Sequence, residues 1–373
     1  MNFQINVSVM AAKLKQLSPF VGVKSTLPIL EYILLHKAKD DNKMYMTGTN
    51  LELTMVTHIE VPEKVEPFHV CVNYTELFKL ISALNYDEYE VTIEKNEMVL
   101  TSPFLDVFKL PLIEPEGFPE LPSMEIKMEV ELSASFVRSW FNDFGPFVGN
   151  DELRPVMSAI NVEIEKKDIT IVATNAHILL AKTYNDYLPK EYDSNQFLIP
   201  IKSAIVKSIT GENVTFSEGD TNIRIEGDVY TIYIRKTEGK YPNWEAVLPK
   251  KDEVQAIEIK VNRVKFLEAL KAISVLTNET KALQIHVEEK RIRLIAENLD
   301  VKKSGNVFVD AEPSFTEDKV GYRYDFLTTV LSTATEEEVT LKGAHNRAGI
   351  IYEESDEVYK RILIMPVMIT NNG

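Results

Sequence analysis

The chain has 373 residues, 45% of them apolar, one cysteine, and a formal net charge of −16. That length holds two or three domains, each able to bury a core of its own. The lone Cys71 excludes a disulfide within the chain and a cysteine-built zinc cluster, and the acidic balance excludes nucleic-acid binding through overall positive charge.

From the N-terminus, alternation predicts a strand over Phe3–Val7, and Ser8 is placed as the cap of a helix over residues 8–17. Strands follow near 29–37, 43–47 and 51–61. A second strand–helix unit starts at 68–72. Its helix covers 73–85, with Leu77, Leu80, Ile81 and Leu84 on one face, and strands follow near 90–95, 98–101 and 107–112. Cys71 lies in the run Phe68-His69-Val70-Cys71-Val72 and is expected to be a buried strand residue. Pro111, Pro115, Pro119 and Pro122 mark a stiff crossing into the second repeat. Further helices are expected over 133–144, 201–210, 262–273 and 323–334, with Ser133 and Asn262 as caps. Hairpin tips fall at 40–43, 94–97, 165–168 and 288–290. No run approaches 18 apolar residues, so no membrane span is expected. Nothing resembles a signal peptide, and a cytoplasmic setting suits the single thiol.

The same pattern occurs three times. Phe3–Ser8, Met128–Ser133 and Ile257–Asn262 each alternate and end on a capping residue. Thr49-Asn50-Leu51-Glu52, Thr174-Asn175-Ala176-His177 and Glu297-Asn298-Leu299-Asp300 form a second landmark. The expected architecture is α+β, with three similar domains at 1–125, 126–253 and 254–373. Each holds two β-α-β-β-β halves.

Charge is unevenly spread. The six helix windows carry Lys13, Lys15, Lys79, Arg138, Lys202, Lys207, Arg263, Lys265, Lys271 and Arg323. Against these stand Glu76, Asp143, Glu268 and Asp325, giving +6 on the helices and −22 on the remainder. Basic helices on an acidic body suit non-specific, salt-dependent phosphate contact. The bland alternative is ordinary solvated helix faces. No aromatic platform for single strands occurs in these windows, which favours duplex.

Three groups of residues carry a family resemblance. They are Ser25-Thr26-Leu27-Pro28-Ile29-Leu30 with Thr47–Glu52 and Phe118–Pro122; Leu153–Met157 with Ala173–His177 and Tyr241–Pro249; and Ile364-Met365-Pro366-Val367. Over the whole length and in one order, these resemble the bacterial DNA sliding clamp family, the beta subunit of DNA polymerase III. The resemblance implies a head-to-tail homodimer whose helices line a ring, with antiparallel sheets outside. Such a ring tethers the replicative polymerase to encircled duplex DNA without catalysis or cofactor. The implied partners are duplex DNA, a second copy, and polymerase, clamp loader and other proteins bearing a short apolar clamp-binding peptide.

By position, the family's DNA contacts fall on Lys24 and Lys202, with Lys236 and Lys240 near another contact region. The peptide groove falls on Arg154, Met157, Thr174, Ala176, His177, Ile178, Leu179, Pro242, Val247, Leu363, Ile364, Met365, Pro366 and Val367. Simple core packing is the alternative for Met157, Leu179 and Val247. The dimer contact falls on Phe108 and Leu110 against Val275 and Leu276. The chain departs from the family where Ala176 and Ile178 flank His177 in place of glycine and arginine, and at Ala246 in place of a rim arginine. These changes imply a more apolar groove.

The sequence holds no phosphate-binding Gly-rich loop, Gly-x-Ser-x-Gly elbow or His-Glu-x-x-His motif, and its six histidines are dispersed. His177 is the best enzymatic candidate, and a groove or core role suits it better. The alternative to a clamp is a divergent, non-catalytic peptide-binding scaffold that does not encircle DNA.

Overall fold

Short alternating runs separated by tight turns build two long antiparallel sheets in this chain. The computed structural model describes residues 1–22, 25–151, 153–249, 257–298, 301–314, 319–343 and 347–368. In chain order the elements are β1 (Asn2–Asn6), α1 (Val7–Leu17), β2 (Tyr32–Lys37), β3 (Lys43–Thr49), β4 (Leu53–Glu60), β5 (Phe68–Asn73), α2 (Tyr74–Ala83), β6 (Glu88–Ile93), β7 (Glu97–Thr101) and β8 (Val107–Ile113). The middle third holds β9 (Ile126–Ser133), α3 (Ala134–Phe144), β10 (Ala159–Lys166), β11 (Asp168–Thr174), β12 (Ile178–Tyr184), β13 (Tyr192–Pro200), β14 (Asn213–Gly219), β15 (Asn222–Gly227) and β16 (Tyr230–Arg235). The last third holds β17 (Ile257–Asn262), α4 (Arg263–Ser274), β18 (Ala282–Glu288), β19 (Arg291–Asn298), β20 (Lys303–Pro313), β21 (Lys319–Arg323), α5 (Tyr324–Thr333), β22 (Glu338–Gly343), β23 (Gly349–Glu354) and β24 (Val358–Ile364).

The chain divides into two compact units, Met1–Arg138 with Lys202–Lys236, and Ser139–Ile201 with Thr237–Gly373. Each unit contains one twelve-stranded sheet. The first runs β1-β6-β7-β8-β5-β2-β3-β4-β16-β15-β14-β9, and the second runs β13-β10-β11-β12-β24-β23-β22-β17-β20-β19-β18-β21. The expected β-α-β-β-β halves occur along the chain, but their leading strands are exchanged. β1 pairs with β6 of the following half, and β5 pairs back with β2. The same exchange joins β9 to β14 and β13 to β10, and β17 to β22 and β21 to β18.

Two expectations change. The cap of α1 is Asn6, whose Oδ1 accepts from Val9 N at 3.0 Å. Ser8 lies inside the first turn and donates to that same oxygen at 2.6 Å. Ser133 and Asn262 cap as expected, accepting from Phe136 N and Lys265 N. The expected helix at 201–210 is a 3-10 segment, Ser203–Ser208. Ile205, Val206, Ile209 and Thr210 crowd this stretch with β-branched side chains, which disfavour a full α-helix. The described residues therefore contain five α-helices. Each helix buries one stripe, such as Met10, Leu14 and Leu17 of α1 or Phe266, Leu270 and Ile273 of α4. Cys71 is fully buried in β5, and burial pushes its thiol pKa up to about 12, so it is inert.

Candidate functional site: an apolar groove and exposed lysines

The groove candidates cluster around one turn and one strand pair in the second unit. The turn between β11 and β12 is held by its own side chains. Asn175 Oδ1 accepts from His177 N at 2.9 Å and Ile178 N at 3.0 Å. Thr174 Oγ1 accepts from Ala176 N and donates to the Ile178 carbonyl at 2.7 Å. Asn and Thr are suited to such turns because a short polar side chain replaces missing backbone partners. Ala176 sits at φ 72°, the left-handed region. The turn exposes Ala176 and His177. β24 then pairs with β12 in the register Leu179↔Leu363, and the His177 carbonyl accepts from Met365 N at 2.7 Å.

One face of this strand pair carries a satellite core. Leu179 and Leu363 pack there with Val172, Leu198, Tyr241 and Trp244. Val156 and Leu248 are partly buried against it. Above this floor stand the accessible side chains: Val247, 50% exposed, and Met365, 38% exposed, with Pro242 exposed and Pro366 and Val367 half-buried. The Tyr241–Pro249 segment is anchored to its unit by Trp244 Nε1 donating to Glu163 Oε1 at 3.0 Å. The Arg361 guanidinium lies 4.9 Å from the Trp244 ring and 4.7 Å from the Tyr359 ring. Accessible apolar side chains thus lie on segments that are anchored beside a buried apolar cluster.

Two expected groove residues do not reach it. Strand alternation sends Ile178 and Ile364 to the opposite face, where they are 1% and 0% exposed. Ile178 therefore does not make the groove more apolar, contrary to expectation. Met157 is 5% exposed and Thr174 8%, so neither presents an accessible side chain. Arg154 is exposed and ion-paired to Asp151 at 2.8 Å. One residue, Phe326, carries no sequence signal for this site. Phe326 of α5 stacks on His177 at 5.3 Å between ring centres, and Arg323 lies 4.2 Å over Phe326. Asp325 holds Arg323 in a fork at 3.1 and 2.7 Å. Burial opposes ionisation of Asp325, but hydrogen bonds from Arg323 and Lys281 hold its carboxyl below the usual range. Only long-range pairing brings residue 326 to residue 177, so no local pattern marked it. Val156 and Leu248 did carry a signal, lying beside Pro155 and Pro249 in motifs already singled out.

The basic candidates separate into two groups. Lys15, Lys79, Lys207, Lys240, Lys265 and Lys271 are exposed, and Lys13 is half-buried, with burial lowering its pKa. Lys202 is exposed but lies 3.0 Å from Glu52. The others are engaged within their own units. Lys236 bonds Glu218 at 2.5 Å and the Gly219 carbonyl at 2.6 Å. Arg138 donates to the Ile209 carbonyl and Arg263 to the Glu336 carbonyl, both at 2.9 Å. Lys236 in particular is consumed by a buried carboxylate, which removes it as a free phosphate contact. Lys24 lies outside the described residues.

Family models for the N-terminal, central and C-terminal domains of the DNA polymerase III beta subunit match residues 1–122, 142–243 and 245–368. This chain belongs to the DNA polymerase III beta-subunit family. The beta sliding clamp of Salmonella typhimurium is 23% identical over 99% of this chain and all of the relative. That of Pseudomonas putida is 21% identical with the same coverage. Among solved structures, the beta subunit from Pseudomonas aeruginosa superposes with a TM-score of 0.90 at 20% identity, covering 99% of this chain and 100% of the other. The sliding clamp from Bacillus subtilis gives 0.88 at 19% identity, covering 99% of each chain. The fold is therefore the three-domain clamp fold of this family. Among the described residues no helix is long and apolar enough to cross a membrane.

Proposed function

We propose that this chain is a DNA polymerase processivity factor, a non-catalytic subunit that acts as a sliding clamp in the cytoplasm. The observation that carries the reading is the match of all three beta-subunit domain models, in order, along one chain. Two chains join head to tail, and the closed ring slides on encircled duplex DNA. Lys13, Lys15, Lys79, Lys202, Lys207, Lys240, Lys265 and Lys271 supply sequence-independent phosphate attraction. Polymerase, clamp loader and other partners insert a short apolar peptide beside His177, Phe326, Val247 and Met365, over the Leu179–Leu363 floor. The domain boundaries we propose are 125/126, just before β9, and 253/254, which lies outside the described residues.

The dimer contact is supported by two incomplete strand edges. β8 pairs with β7, but only its last residues, Leu112 and Ile113, reach β5. Phe108 and Leu110 lie opposite buried Leu100 and Met98, so an apolar face runs to an uncovered edge. The neighbouring Phe104, Leu105 and Val107 are 72%, 79% and 53% exposed. In the other unit β20 pairs with β19 along Lys303–Asp310, while only Ala311–Pro313 reach β17. Leu276 lies over Gly305 of this edge, where an added Cβ would stand 2.5 Å from Leu276 Cδ1. Val275 is 71% exposed and Phe308 46%. Two open edges with apolar flanks are stabilised by pairing with each other, which removes both.

Light scattering should give twice the 42.5 kDa chain mass. The loaded protein should stay on nicked circular duplex and leave once the circle is cut. Leu276→Asp should yield monomer and abolish retention. A wild-type monomer that is never retained on circles would overturn the clamp reading in favour of a scaffold. A dimeric Leu276→Asp would overturn the assignment of the edge.

A further inference from the structure

A row of ring side chains crosses the sheet of the first unit from strand to strand. In β2, Ile33 and Leu35 are fully buried while His36 is half-exposed, so His36 occupies the other face of the strand. His36 stands directly opposite His69 of β5 and Tyr45 of β3, and Tyr45 stands opposite His58 of β4. Successive ring centres lie 5.1 Å (His69–His36), 6.5 Å (His36–Tyr45) and 5.7 Å (Tyr45–His58) apart. Nothing in the clamp reading uses this row.

The first pair has the features of a metal-chelating pair. The Nδ1 of His36 is buried and has no hydrogen-bond partner. An unshared ring nitrogen is the atom through which a neutral histidine binds a metal. A buried acceptor without a partner is otherwise costly. Two imidazoles bound to one tetrahedral zinc at about 2.0–2.1 Å place their ring centres roughly 5 Å apart, close to the 5.1 Å between His36 and His69. Backbone pairing fixes the two strands, so chelation needs only a swing of the exposed His69 side chain.

We propose that His36 and His69 form a surface site for a borderline divalent transition-metal ion, Zn²⁺ or Ni²⁺. Among the described residues no three His, Cys, Asp or Glu side chains converge on a metal position, so the protein supplies two nitrogens and water completes the shell. Imidazole suits zinc and nickel and discriminates against magnesium and calcium, which take oxygen ligands. Bound metal would clip β5 to β2.

The test is calorimetric titration of chelator-treated full-length protein with Zn²⁺ and Ni²⁺ at pH 7.5, with Mg²⁺ as the control. We expect one saturable site per chain for Zn²⁺ and Ni²⁺ and none for Mg²⁺. His69→Gln, on an exposed position that leaves the fold intact, should weaken binding at least about tenfold, as should His36→Gln. His58→Gln should bind as wild type. Binding unchanged in both His36→Gln and His69→Gln, or no saturable binding of either ion, would overturn the proposal. Histidine side-chain NMR of the wild type gives an independent readout. Zn²⁺ should shift the His36 and His69 ring resonances first, and shifts confined to other histidines would overturn it.

Discussion

The Thr-Asn turn occurs at Thr49–Glu52 and again at Thr174–His177, and the two are built alike. Asn50 Oδ1 accepts from Glu52 N and Leu53 N, as Asn175 does one repeat later. Leu51 and Ala176 both stand at φ 72°. Each turn also receives a returning strand. The Glu52 carbonyl accepts from Arg235 N at the end of β16, and the His177 carbonyl accepts from Met365 N after β24. The side chains diverge. Glu52 reaches Lys202, whereas His177 stacks on Phe326 beside an apolar floor. Backbone geometry thus joins successive repeats, and the side chains give the first joint an ion pair and the second an aromatic stack.

The returning strands extend the parallel and offer the sharpest way to break it. Lys236, just after β16, pairs with Glu218, 1% exposed at its side chain, and Lys360 of β24 pairs with Glu353, 8% exposed. Glu218→Gln and Glu353→Gln should each destabilise their unit by about 3 kcal/mol, because the lysine is left buried without its partner. Urea unfolding at pH 7 checks this, and a loss in only one variant would break the equivalence. Glu353 also predicts a pH effect. Burial opposes its ionisation, but bonds from Lys360, Thr335 and Glu336 hold its pKa below the usual 4.5. A depressed folded pKa gives stability that is complete above the unfolded value and is lost as pH falls through the folded one. The gap between wild type and Glu353→Gln should therefore shrink on acidification below about pH 4.5.

Asn50→Ala and Asn175→Ala should each cost about 2 kcal/mol, since two backbone N–H groups lose their acceptor. Denaturant midpoints measured side by side check this, and unequal losses would mean that the turns are alike only in shape. The double variant Ala176→Leu with His177→Glu gives the second turn the side chains of the first. It should weaken a fluorescently labelled apolar clamp-binding peptide at least about tenfold, measured by anisotropy. The reciprocal change, Leu51→Ala with Glu52→His, should leave that affinity unchanged. Smallest of all, Leu51→Gly and Ala176→Gly should each relieve left-handed strain and change stability by no more than about 1 kcal/mol. Thermal midpoints should move upward or stay level, and a clear fall would show that the Cβ atoms pack.

Local chemistry was legible in the sequence to the extent that it was local. Alternation, caps and turn residues marked most strands, and helix periodicity marked α1 to α5. The cap of α1 was misplaced because Val7 continues the strand alternation for one residue into the helix. In the structure the equivalent caps are Asn6, Ser133 and Asn262, which makes the repeat more regular than it looked. The resemblance assigns Leu179 and Leu363 to one site together with their neighbours Ile178 and Ile364. Strand alternation puts these pairs on opposite faces, and a contiguous motif does not reveal which member faces which way. Phe326, 149 residues from its stacking partner His177, carried no signal at all.

The exchange of leading strands bears on how the chain is made. β1 finds its partner only when residues near Thr92 have emerged, since Asn2 pairs with Thr92. β9 likewise waits for Asn213, opposite Ser133. During vectorial synthesis the first half of each domain also holds an open place for a strand not yet translated, since β5 pairs with β2, β13 with β10 and β21 with β18. Long closures of this kind slow folding. A ribosome that pauses between halves leaves β2 without β5, and one that pauses after the first domain leaves β4 without β16, so either pause exposes an unpaired edge to the cell.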